Sequence, residues 1–197
     1  MGDAITEIEK LHIVTEARSR LVRDVGHDHQ AACLQAAFHA THVLLEHGYQ
    51  AALCAGSAFW AYSPENETDK TAHNAWGYGF NPETNPPELH AWAAIHDDGK
   101  EAIVDITTRH WPLQYLLLTQ KQWPGPFVPP DFLWGMDAMS SYSYDLEASR
   151  LAIAMIPDVE REKINPKNYK QWRHVYEKIK QQEKSRVDDQ ARIRDDY

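Results

Sequence analysis

Cysteine is scarce in this chain, with two in 197 residues, Cys33 and Cys54. Two are too few for a disulfide framework, so each is read as a thiol. Long apolar runs are lacking as well: no stretch approaches the run of about 20 residues that a membrane span requires. Basic excess is also missing. Lys and Arg total 20 against 29 Asp and Glu, a formal charge of −9, which disfavours nucleic acid or an anionic membrane surface as the main partner. The opening residues, "MGDAITEIEK", lack the basic-then-apolar pattern of a secretory leader. The expectation is a cytoplasmic protein whose partner is a small molecule or another protein, with oligomeric state left open.

Hydrophobic residues make up 43% of the chain, enough for one sizeable core. We read residues 1–197 as a single domain, with a core over about 25–110 and an aromatic, Pro-rich wrap and helix over about 111–197. Residues 3 to about 22 read as an amphipathic helix with Ile5, Ile8, Leu11 and Val14 near helical spacing. From about Ala31 to Glu46 a second helix is predicted, closed by His47-Gly48. Its apolar residues cover most of the circumference, as in a helix packed between other layers.

Short apolar runs follow, "QAALCAGSAFWAYS" and "NAWGYGF", separated by the polar loop "PENETDKTAH". After a second loop, "NPETNPPE", the run "LHAWAAIHDDGKEAIVDITT" reads as two strands around Asp98-Gly99, a dipeptide that accepts the backbone of a hairpin turn. Residues 111–134 are dense in proline and aromatics, and an extended, wrapped connection is predicted there. Near the end, Asn165-Pro166 fits a helix start, and Trp172, Tyr176 and Ile179 repeat at helical spacing. From residue 158 onward there are 11 basic and 9 acidic residues, leaving 9 basic and 20 acidic in residues 1–157. The late helix therefore reads as a solvated element beside an acidic body.

The hairpin register can be worked out. With Asp98 and Gly99 as turn residues, opposed positions sum to 197, so Trp92 faces Asp105 and His90 faces Thr107. Side chains alternate with period two, which makes His90 and Asp105 diagonal neighbours on one face. A slip of one residue would separate them. Cys33 lies near the start of the core helix, where unpaired backbone N–H groups and the helix dipole favour an anion. A thiolate there could attack a carbonyl carbon, with His90 as base then acid and Asp105 fixing the histidine's tautomer. Cys54, mid-strand, offers no such setting and reads as a core thiol.

The order of these residues resembles the transglutaminase-like group of the papain-fold cysteine enzymes. The matching positions are Cys33 in "HQAACLQAAF", His90 in "LHAWAAI" and Asp105 in "IVDITT", over roughly residues 25–110. The resemblance implies an α+β fold, in which a central helix packs on an antiparallel sheet with flanking N- and C-terminal helices. It also implies a Cys-His-Asp triad acting through a thioester, without a cofactor or metal, on an amide or ester of a small molecule, peptide or protein. The oxyanion would be held by the Cys33 backbone N–H and an upstream side chain, with His27, His29 and Gln30 as candidates; His27 has the six-residue spacing of papain-like donors. Trp92 and Trp111 are candidate substrate-pocket walls. Ile106 stands where the family often has proline, and no tryptophan adjoins Cys33, so the subfamily stays open.

Two other classes compete. One is a zinc protein using His27 and His29 with His39, His42 or His90, although the spacing matches no strong template such as paired CxxC or HExxH. The other is a catalytically silent transglutaminase-like binding domain.

Overall fold

The computed structural model describes residues 5–26, 32–61, 75–97, 100–124, 127–135 and 139–164, all within one compact unit, 1–164. The helix read at 165–184 lies outside the described residues. So do the Asp98-Gly99 turn and the 64–73 loop.

The first helix, α1, spans Glu7–Val25. Thr6 and Glu9 close a reciprocal capping box at its start, and Gly26 ends it in the left-handed region at φ 78°. Its buried face is Ile13, Val14, Ala17 and Leu21, whereas Ile8 and Leu11 are 82% and 56% exposed. Of the expected stripe, Ile5 and Val14 are buried and Ile8 and Leu11 face outward. The i, i+4 row Ile13, Ala17, Leu21 is the one that faces the core.

The second helix, α2, spans Cys33–Glu46 and buries Leu34, Ala36, Ala37, Phe38, His39, Ala40, Thr41, Val43 and Leu44. Burial on so many sides follows from neighbours on both flanks. Ala36, Ala40, Val43 and Leu44 pack with the α1 face and with Ala93, Ile95 and Val104. Leu34, Ala37 and Phe38 pack with Leu53, Ala55, Ala91, Ala148, Ala152 and Ile156.

The sheet is antiparallel and six-stranded, built from β1 Ala51–Ala61, β2 Ala75–Tyr78, β3 His90–Asp97, β4 Lys100–Asp105, β5 Leu133–Trp134 and β6 Ser140–Tyr144. Strand β1 pairs β3 through its first half, as in Gly56 with His90, while Ala58 pairs both Tyr78 and Tyr142. The hairpin register is the expected one, with Asp97 opposite Lys100 and Ala93 opposite Val104. Ala91, Ala93 and Ile95 join the clusters of α2; by alternation His90 and Trp92 take the other face. Close strand approach explains two glycines. A Cβ at Gly56 would meet the Ser143 carbonyl, and one at Gly77 the Ala58 carbonyl.

Residues 111–119 are not an extended wrap. They form α3, Trp111–Thr119, after a 3-10 turn at Thr108–His110. Pro112 sits in the first turn, where its missing N–H costs nothing, and the leucines that follow are good helix formers. Two further helices, α4 Leu146–Met155 and α5 Asp158–Ile164, complete the α+β fold. Among the described residues no helix is long and apolar enough to cross a membrane.

Candidate active site

Helix α2 begins where β3 begins. Cys33, its first residue, directs Sγ at the Leu89 carbonyl oxygen, 3.8 Å away, and Leu89 is the residue before His90. Ala32 at the N-cap provides no side-chain bond to the first-turn amides, and among the described residues no side chain caps them.

His90 and Asp105 are each 1% exposed and meet at 2.6 Å between Nε2 and Oδ2. Asp105 is fully engaged. Tyr142 donates its hydroxyl to the same Oδ2 at 2.7 Å, while Oδ1 accepts from the Thr107 backbone N–H at 2.8 Å and hydroxyl at 2.7 Å. The Thr107 contact is an Asx-type turn, so the carboxylate is fixed by the chain two residues on. Burial alone would raise the Asp105 pKa, but His90, Thr107 and Tyr142 together hold it below the usual carboxylate range. Burial likewise opposes charge on His90, yet Asp105 and the neighbouring Cys33 outweigh it and raise the imidazole to about 10. Among the described residues its other nitrogen, Nδ1, is buried without a hydrogen bond of good geometry.

Aromatic rings surround the imidazole. Tyr78 stacks on it with planes 10° apart and centroids at 5.8 Å, Trp92 stacks at 6.2 Å, and Trp111 meets it edge-on at 5.4 Å. Tyr78 in turn donates to the Gln114 side-chain oxygen at 2.6 Å. Its hydroxyl is pushed up to about 12 by burial and by proximity to Cys33.

A cleft of about 430 Å³ opens over this group. Cys33, Tyr78, His90, Thr107 and Gln114 line it together with the Thr84–Leu89 segment. Of the residues predicted from sequence, Cys33, His90 and Asp105 come together. Trp92 and Trp111 do not wall the cleft; at 3% and 0% exposure they pack against the imidazole. His27, His29 and Gln30 lie outside the described residues. Cys54 is buried in β1, and burial pushes its thiol well up. Of the histidines weighed for zinc, His39 pairs with Asp24 at 3.1 Å, His42 with Glu46 at 3.1 Å, and His90 with Asp105. Sequence reasoning missed Tyr78, Gln114, Thr107 and Tyr142. For Thr107 a signal existed, since Asp followed two residues later by Thr is a turn pattern.

The electrostatics predict a pH signature. A group whose pKa rises on folding stabilises the fold fully below its unfolded value, about 6.5 for histidine, and loses that contribution as pH climbs toward the folded value. His90 should therefore make stability fall between pH 6.5 and 8.5, by up to about 1.4 kcal/mol per pH unit. His39 and His42 act oppositely: burial lowers both, so their penalty appears as pH drops below about 6.5. Cys54 adds its own loss above about 8.5, where unfolded thiols ionise. Urea unfolding of wild type and His90→Gln across pH 6.5–8.5 checks this. The decline should disappear in the variant; equal slopes would contradict it.

Comparison with known proteins leaves the chain without an assigned family. No family model matches, and no curated protein matches. A solved structure described only as that of a genomics target shares 16% identity over 85% of each chain, with a TM-score of 0.43, a likeness too distant to bear on family or activity.

Proposed function

We propose that this protein is a cysteine-dependent amide or ester hydrolase or acyltransferase of transglutaminase-like, papain-fold type. One observation carries the reading: a buried Asp105–His90 pair at 2.6 Å adjoins the thiol of Cys33, at a helix N-terminus and facing a cleft. Such a chain of groups is more than a structural ion pair needs. Its cationic imidazole abuts a thiol, and an imidazolium beside a thiol favours the thiolate form.

In the proposed reaction the proton of Cys33 resides on His90, as an imidazolium–thiolate pair, and the sulfur attacks the substrate carbonyl carbon. Asp105 fixes Nε2–H, which leaves Nδ1 to exchange protons with sulfur and substrate. The tetrahedral oxyanion is held by the Cys33 backbone N–H at the start of α2. As the bond to the leaving amine or alcohol breaks, His90 protonates it, and a thioester remains on Cys33. Water or an amine then attacks the thioester carbonyl with His90 taking its proton. Product leaves with the acyl group, and the thiol is restored. Glu88 on the cleft wall and the acidic body suit an amine or cationic substrate better than a polyanion.

Intact-mass spectrometry after incubation with a panel of amides, thioesters and electrophilic traps tests the reading. A mass adduct is expected on wild type and absent from Cys33→Ala. Adducts of equal yield on both proteins would refute it.

A further inference from the structure

At the opposite end of α2 from Cys33 lies a second cluster of metal-binding side chains. We propose that His12, Glu16 and His47 form a surface site for a divalent zinc-class ion that clamps α1 to the end of α2. The site stands apart from the thiol, since the 14 residues of α2 span roughly 20 Å.

His12 and Glu16 are one helical turn apart on α1 and so share a face, while His47 is the C-cap of α2. One nitrogen from each imidazole and one carboxylate oxygen all lie within 4.8 Å of one another. Two imidazoles and a carboxylate are a donor set suited to zinc, with a further position for water. Ligand atoms of a tetrahedral zinc are about 3.3 Å apart, so groups within 4.8 Å of one another have only a short way to close.

The carboxylate of Glu16 is already divided in a way that fits. Oε1 accepts from Arg20 at 2.5 Å, and Oε2 faces His47 Nε2 at 3.1 Å. An ion between Oε2 and the two imidazoles replaces the proton now shared by Glu16 and His47 and leaves the Arg20 contact intact. That contact orients the ligand from behind, as outer partners of metal ligands do. The rings of His12 and His47 meet edge to face with centroids at 5.6 Å, so His47 is held close to both α1 donors. Two features favour a cation there. The C-terminus of α2 carries the negative end of its dipole, and the Arg20 charge is offset by Glu46, which it also binds at 2.5 Å.

The test is isothermal titration of Zn²⁺ into chelator-stripped full-length protein carrying Cys33→Ala, which removes the thiol as a competing ligand. One equivalent is expected to bind. His12→Ala or His47→Ala on that background should weaken binding about 100-fold, as should Glu16→Gln. Saturating Zn²⁺ should raise the parent's Tm by about 5 °C and leave the Tm of the His12→Ala protein unchanged. Both histidines are exposed, so the metal-free variants should match the parent in circular dichroism. Failure of the parent to bind stoichiometrically, or binding undiminished by His12→Ala and His47→Ala, overturns the proposal.

Discussion

Iodoacetamide at pH 6.5 is expected to alkylate Cys33 about 100-fold faster than Cys54, read by peptide mass mapping over time. Cys33 is partly exposed and lines the cleft, with the His90 imidazole beside it. Cys54 is 5% exposed within β1 and its thiol is pushed well up by burial. The size of the effect follows from the thiolate fraction. An ordinary thiol is only about 1% ionised two units below a pKa near 8.5, and an imidazole beside the sulfur supplies a base for its proton. Part of the gain is returned because a more stable thiolate is a weaker nucleophile, but the difference in access adds to it. Equally slow labelling of both cysteines would remove the basis for an activated sulfur.

The largest stability effect is expected at Asp105. Replacing it with Ala leaves the His90 imidazole, the Tyr142 hydroxyl and both Thr107 donors without their acceptor in a buried setting. Breaking a buried charged pair from one side costs about 3–5 kcal/mol, or roughly 10 °C in Tm for a chain of this size. Asp105→Asn keeps the shape and an acceptor oxygen, and should cost clearly less. Both should lower the ability of His90 to hold a proton, so Cys33 reactivity falls in each. Thermal unfolding by circular dichroism checks the ranking. A loss under about 1 kcal/mol for Asp105→Ala would show that the carboxylate is not the centre of the network.

What could be read from the sequence was the part governed by short-range rules. The His90–Asp105 pair was legible because a two-residue turn and strict alternation fix a hairpin's register. Cys33 was legible because the apolar run that forms α2 starts beside it. Long-range partners were not. Tyr78 sits on a four-residue strand and Tyr142 on a short Ser/Tyr strand, and their shared pairing with Ala58 brings them to the His90–Asp105 pair. Proline density in 111–134 suggested broken structure, yet Pro112 occupies the one part of a helix that tolerates it. Trp92 and Trp111 were taken for pocket walls because large rings near a site suit that role. Here they pack against the imidazole and are absent from the lining of the cleft. Asp145, which caps α4 through the Ala148 N–H, carried a helix-start signal that would have placed that element.

The central claim is that His90 acts on the sulfur of Cys33, and the pH dependence of Cys33 alkylation tests it most directly. Rates are followed between pH 5.5 and 9 for wild type and for His90→Ala. His90→Ala should be about tenfold to a hundredfold slower at pH 6.5 and recover only as an ordinary thiol ionises near pH 8.5. Superimposable profiles for the two proteins would contradict the account.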